Sequence, residues 1–213
     1  MTILKKSILL IFLILICDQV LKIWVKTHMM LGEEISVFGN WFLIHFTENN
    51  GMAFGFELAG DWGKIILSLF RVAAIIGIGW YLFRLYKREA HKGLILCIAL
   101  ILAGAAGNIF DSAFYGLIFS ESNFQVATLF PEGGGYAPFL RGKVVDSLYF
   151  PVIEGHFPEW FPFWGSDHFI FFRPVFNIAD SSITIGVFLI IIFQKRFFRK
   201  VEKQPETENI SDN

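Results

Sequence analysis

Two aspartates set the chemistry open to this chain. Asp146 stands in Lys143-Val144-Val145-Asp146, and Asp180 in Phe176-Asn177-Ile178-Ala179-Asp180. Asp180 lies just inside an apolar stretch running to Phe193; Asp146 falls in a segment nearly as apolar, read as an outer loop. A carboxylate close to hydrocarbon is costly and by default marks a functional site. Two at one level suit acid/base work on water, because mutual repulsion drives their pKa values apart. Further polar residues fall at the same depth. Asp18 and Lys22 share a helix face four residues apart, Asn108 and Asp111 share one three apart, and Asn177 precedes Asp180 by three. Glu48-Asn49-Asn50-Gly51-Met52-Ala53 sets polar residues beside small ones, the composition of a tight backbone excursion. Gly104 and Gly107, just before Asn108, let a neighbouring helix come close. Arg71 has no assigned role beyond a structural ion pair.

The elements that must position these residues are membrane spans. Of 213 residues, 54% are hydrophobic, above the 45–50% or so of a soluble domain. The excess lies in four stretches, 8–25, 65–83, 94–114 and 174–193, each long enough to cross a ~30 Å hydrocarbon core as a helix. Lys and Arg crowd the N-terminus, the link at 84–92 and the stretch after 193, while the two long loops are mostly acidic. The positive-inside rule therefore predicts cytoplasmic termini and external loops at 26–63 and 115–173. The expected fold is an all-α membrane protein, a four-helix bundle with a small extracytoplasmic β-rich segment and a long aromatic outer loop. Residues 1–201 form one domain, and 202–213 a disordered polar tail.

Within the first loop, Ile35–Phe46 predicts a short hairpin turning at Gly39-Asn40. Lys26 marks the outer edge of the first span, with Asp18 about 12 Å inside it. The cluster 157–164 suits an interfacial anchor, and Gly133-Gly134-Gly135 a flexible turn. Cys17 and Cys97 read as two apolar thiols at different depths. No basic face with interleaved aromatics suggests nucleic acid, and no Ser–His or Cys–His arrangement is visible. The competing function is a small cation-coupled carrier or channel using Asp18, Asp111 and Asp180 as a relay. The lack of an internal repeat and of acidic groups in the inner halves of the spans weighs against it.

Five motifs in order resemble the lipoprotein signal peptidase (signal peptidase II) family of bacterial membranes. They are Asp18-Gln19-Val20-Leu21-Lys22, Asn49-Asn50-Gly51-Met52-Ala53-Phe54, Gly104-Ala105-Ala106-Gly107-Asn108-Ile109-Phe110-Asp111, Val144-Val145-Asp146 and Phe176-Asn177-Ile178-Ala179-Asp180. The resemblance implies an aspartyl endopeptidase of the cytoplasmic (inner) membrane, with its active site toward the extracytoplasmic face. It would cut prolipoproteins just before a diacylglyceryl-modified cysteine, using Asp146 and Asp180 as catalytic pair. Asn49, Gly51, Asn108 and Asn177 would bind or orient the peptide, with Asp18, Lys22 and Asp111 buttressing them. No metal or cofactor is implied; the partners are lipidated precursors and membrane lipids, and the protein is expected to be monomeric. Two departures stand out. Ser112 replaces the arginine usual after the third-span aspartate, a cation that Arg141 or Arg173 would have to supply, and the outer loops are unusually long.

Overall fold

The structure, a computed structural model, describes residues 1–50, 60–151, 153–156, 168–171 and 175–199. Gly51, Arg173, Pro174, the aromatic cluster 157–164 and the tail 202–213 lie outside the described residues. Four helices are long and apolar enough to cross a membrane. Helix α1 (Ile3–His28) starts where the Thr2 hydroxyl accepts from the Lys5 N–H. Helix α2 is Gly60–Lys87, and α3 (Lys92–Phe110) is capped by the His91 ring, which accepts from the Gly93 N–H. A π-helical turn, Asp111–Tyr115, and a short α4 (Gly116–Ile118) continue α3. Helix α5 is Ile178–Phe197.

The first two helices overrun the apolar stretches, since polar residues at each end extend the backbone ladder at little cost, and the third passes 114 only through the π-helical turn and α4. The fourth starts later than 174. Val175–Phe176 pair as a strand, and Asn177 caps the helix by accepting the Asp180 N–H at 2.8 Å. Asn177 therefore lies outside the helix rather than on its face, and Asp180 sits in the first turn.

The β-rich part exceeds the predicted hairpin. Strands β1 (Glu34–Phe38) and β2 (Phe42–Asn49) do turn at Gly39, whose φ of +50° suits a residue without Cβ. Strands β3 (Val144–Tyr149) and β6 (Val175–Phe176) join them in an antiparallel sheet of order β1-β2-β3-β6. Strands β4 (Ile153–His156) and β5 (His168–Phe171) form a separate antiparallel pair. Asp146 thus lies on a strand between two neighbours, not in a loop. A run of Val-Val-Asp-Ser-Leu-Tyr buried at nearly every position is what an inner strand covered on both faces looks like.

One core cluster, Val25, Met29, Phe46, Tyr115, Phe119, Ala127 and Val145, joins α1 and the end of α3 to the sheet. Another, around Leu82, Leu85, Leu94, Ile95 and Ile98, packs α2 on α3. Large apolar side chains on the helices face outward, among them Phe70 (71% exposed) and Ile192 (66%), an arrangement that suits hydrocarbon rather than water.

Helix α3 lies close against α5. A Cβ on Gly104 would sit 2.2 Å from the Ala179 carbonyl oxygen, and one on Gly186 would be 2.8 Å from the Cys97 carbonyl oxygen. Backbone cannot yield as a side chain can. Gly104→Ala is therefore expected to cost about 1–3 kcal/mol, read as a lower thermal midpoint of the detergent-solubilised protein.

Candidate active site

Three buried residues from two elements make the floor of the site. Asp18 and Lys22 stand one turn apart on α1, joined at 2.8 Å, and the Lys22 Nζ also meets Asp111 Oδ2 at 2.7 Å. None of the three side chains is more than 1% exposed. Lys22 thus points inward to two carboxylates rather than outward as half of a self-contained pair. Asp18 Oδ1 also accepts the Ala179 N–H at 2.9 Å, which ties α1 to the first turn of α5. A Cβ on Gly107 would come within 2.9 Å of Asp18 Oδ2, so the glycine makes room for this carboxylate. Asp111 also accepts from Gln19 Nε2 at 2.9 Å and from the Val145 N–H at 3.3 Å. Gln19 in turn accepts from the Tyr115 hydroxyl at 3.1 Å.

Above this floor stand the two aspartates and their amides. Asp146 is 5% exposed, and Asp180 is half-buried. Asn177 Nδ2 donates to Asp146 Oδ1 at 2.7 Å, while its own Oδ1 caps Asp180. One asparagine thus holds the Asp146 carboxylate and the Asp180 backbone. Asn108 Nδ2 donates to Asp180 Oδ1 at 2.7 Å. Its Oδ1 accepts from Lys22 Nζ at 3.0 Å and from Asn177 Nδ2 at 3.1 Å, so donors on one side and a carboxylate on the other fix the amide's orientation. Asn49, the last residue of β2, reaches Asp146 Oδ2 at 3.4 Å. The β2–β3 register makes this possible by pairing Thr47 with Asp146.

Burial, and after it the charge of Asp180, push the Asp146 carboxyl up to about 7, against the pull of the Asn49 and Asn177 amides and of Lys22. Arg71, half-buried on α2, lies within electrostatic reach of both Asp180 and Asp146. Ser112 is buried and donates to the Asn108 carbonyl oxygen. Among the described residues, no group of three or more His, Cys, Asp or Glu is placed to hold a metal ion.

The structure therefore brings together Asp146, Asp180, Asn49, Asn108, Asn177, Asp18, Lys22 and Asp111; Gly51 lies outside the described residues. Sequence reasoning missed Gln19 and Tyr115. Gln19 sits within the first-span motif, but nothing in its spacing says that it reaches Asp111. Lys26 was read only as marking the outer edge of the first span, and its burial was missed. It is fully buried against Glu48, and its place one turn beyond Lys22 was the available signal.

Helices of membrane-crossing length that meet around buried carboxylates define a class, the multi-pass membrane enzyme. Residues 10–196 match the family model described as signal peptidase (SPase) II. The chain belongs to this family, whose members are proteases that remove signal peptides from prolipoproteins. It is 53% identical over 188 residues to a lipoprotein signal peptidase of Porphyromonas gingivalis, covering 88% of this chain and 81% of that protein. A lipoprotein signal peptidase of Amoebophilus asiaticus is 35% identical over 204 residues, covering 94% and 82%. A solved bacterial membrane enzyme, determined by the in meso method at 2.3 Å resolution, superposes with a TM-score of 0.57 at 27% identity, covering 94% of each chain.

Proposed function

We propose that this chain is an aspartyl endopeptidase that cuts diacylglyceryl-modified prolipoproteins just before the lipidated cysteine, at the extracytoplasmic face of the bacterial inner membrane. The observation carrying this reading is a pair of linked amides: Asn177 donates to the Asp146 carboxylate and to Asn108, and Asn108 donates to the Asp180 carboxylate. The pair shares one proton. Asp146, with its raised pKa, carries it at rest; Asp180, in the first turn of α5 where the helix dipole favours an anion, is the base. Water held between them attacks the scissile carbonyl carbon and gives its proton to Asp180, while Asp146 protonates the carbonyl oxygen. The tetrahedral intermediate collapses as the C–N bond breaks, and a proton returned by the pair leaves with the amine.

Asn49 and Asn108 orient an extended peptide, which is tolerated near hydrocarbon only where protein satisfies its backbone. Asp18, Lys22 and Asp111 hold these amides in place. The diacylglyceryl chains lie along the outward apolar helix faces, and both chain termini are cytoplasmic. The test is cleavage of a diacylglyceryl-modified precursor beside its unlipidated form by the purified protein. Cleavage of the modified form at the bond before the cysteine is the expected result. Equal cleavage of both forms, or none of either, would overturn the reading.

A further inference from the structure

A second buried charged cluster lies beside the site and plays no part in the steps above. Lys26 at the end of α1 and Glu48 on β2 form an ion pair with side chains 0% and 3% exposed. Ser122 Oγ accepts from Lys26 Nζ at 2.7 Å and donates to Glu48 Oε1 at 2.9 Å. The other Glu48 oxygen meets Lys143 Nζ at 3.1 Å, and Lys143 also pairs with Glu121 at 2.9 Å. The rings of Phe46, Phe119 and Tyr136 surround the Lys26 ammonium at 5.0–5.9 Å. Although burial opposes it, the Lys26 and Lys143 charges hold the Glu48 carboxyl below its ordinary range.

Both ends of this cluster lead to the aspartate on β3. Glu48 stands between Thr47, which pairs with Asp146, and Asn49, whose amide reaches the Asp146 carboxyl. Lys143 immediately precedes β3 and lies three residues before Asp146. Neighbouring side chains of a strand leave on opposite faces, so anchoring Glu48 on one face fixes how Asn49 leaves on the other. A buried ion pair is a poor stabiliser compared with apolar side chains of the same size, which makes geometry the better reason for having it.

We propose that the Lys26–Glu48 pair, clamped by Ser122 and Lys143, is a positioning device that aims the Asn49 amide at Asp146. This rests on the proteolytic reading above.

The test replaces the pair with apolar residues, Lys26→Met with Glu48→Leu, a change of zero net charge. Lipidated-precursor cleavage is followed across pH beside the wild type and Asp146→Asn. The expected result is a fall of about 10–100-fold in kcat, with KM within about threefold and the thermal midpoint kept or raised. The alkaline limb of the pH profile should also move upward, because the Asn49 hydrogen bond is one of the contacts that lower the Asp146 pKa. The charged groups facing Asp146 are Asp180 on α5, Lys22 on α1 and Arg71 on α2, and the variant leaves all of them in place. An unchanged kcat and limb, with only the midpoint altered, would make the cluster merely structural and overturn the proposal. Should the double variant not fold, Ser122→Ala is expected to shift kcat and the limb the same way by a few-fold, and no change there overturns it equally. A wild type that cannot cleave, or an Asp146→Asn variant that can, would instead bring down the proteolytic reading itself.

Discussion

Asp146→Asn should abolish precursor cleavage and at the same time make the protein harder to melt above pH 7. The loss follows from chemistry. An amide in the place of the acid cannot pass a proton to the scissile carbonyl, and Asp180→Asn removes the base with equal effect. Either variant should retain less than about one part in a thousand of wild-type activity, a loss of about 4 kcal/mol of transition-state stabilisation. The gain in stability follows from burial. The folded protein holds the Asp146 proton up to about pH 7, whereas the unfolded chain releases it near pH 4. Between those values the unfolded state binds fewer protons, so stability falls as pH rises and levels off above 7. A side chain that cannot ionise escapes that penalty, worth up to about 4 kcal/mol for a shift of this size.

Thermal midpoints of wild type and Asp146→Asn at pH 5 and pH 8 read this directly, and the gap between them should widen at pH 8. A gap that narrows with rising pH would show that the carboxylate is stabilised in place. Wild-type cleavage should also decline above about pH 7 as the shared proton is lost.

Lys22→Met is expected to be the most damaging single change to folding. It leaves Asp18 and Asp111 buried with no cation, though both lie within 2.8 Å of the lysine Nζ. Breaking a buried pair from one side costs about 3–5 kcal/mol. That is a large share of the roughly 5–15 kcal/mol that holds a domain folded. It also removes one of the two donors to the Asn108 side-chain oxygen, loosening the amide that meets Asp180. The yield of monodisperse protein after detergent extraction should collapse. Adding Asp18→Asn and Asp111→Asn, so that the floor is neutral throughout, should recover much of it. If the triple variant were no better than Lys22→Met, loss of side-chain volume rather than unpaired charge would be the cause.

What the sequence displayed was periodic and local. The four apolar stretches announced the helices, and Asp18 with Lys22, or Asn108 with Asp111, fell on common faces through helical spacing alone. The rest depended on pairings between distant parts of the chain. Nothing local specifies that β2 lies against β3 with Thr47 opposite Asp146, the register that brings Asn49 to the carboxyl. For the same reason Asp146 read as a loop residue: Val144-Val145-Asp146 is too short an apolar run to announce a strand before its neighbours are known. Asn177 was placed on the helix because three-residue spacing is common to a helix face and to a cap. The burial of Lys26 was not legible, because a lysine near the end of a span usually reaches for water. Glu48 on β2 and Ser122, in the long segment after α4, turn it inward.

That segment owes its form to the π-helical turn at Asp111–Tyr115. Widening one turn leaves carbonyls pointing away from the helix axis. The returning loop takes them up: Gly142 donates to Ser112 and Leu140 to Ala113, while the Ala137 N–H donates to the Gly116 oxygen beyond the turn. A Cβ on Gly142 would lie 2.2 Å from the Asp111 carbonyl oxygen, so the return travels hard against the helix. A chain stitched to its support in this way behaves as masonry rather than as a door. Removing one residue from 112–115 would close the wide turn to an ordinary α-helical one, withdraw those carbonyls and unpick the seam, carrying Lys143 and Asp146 out of alignment together.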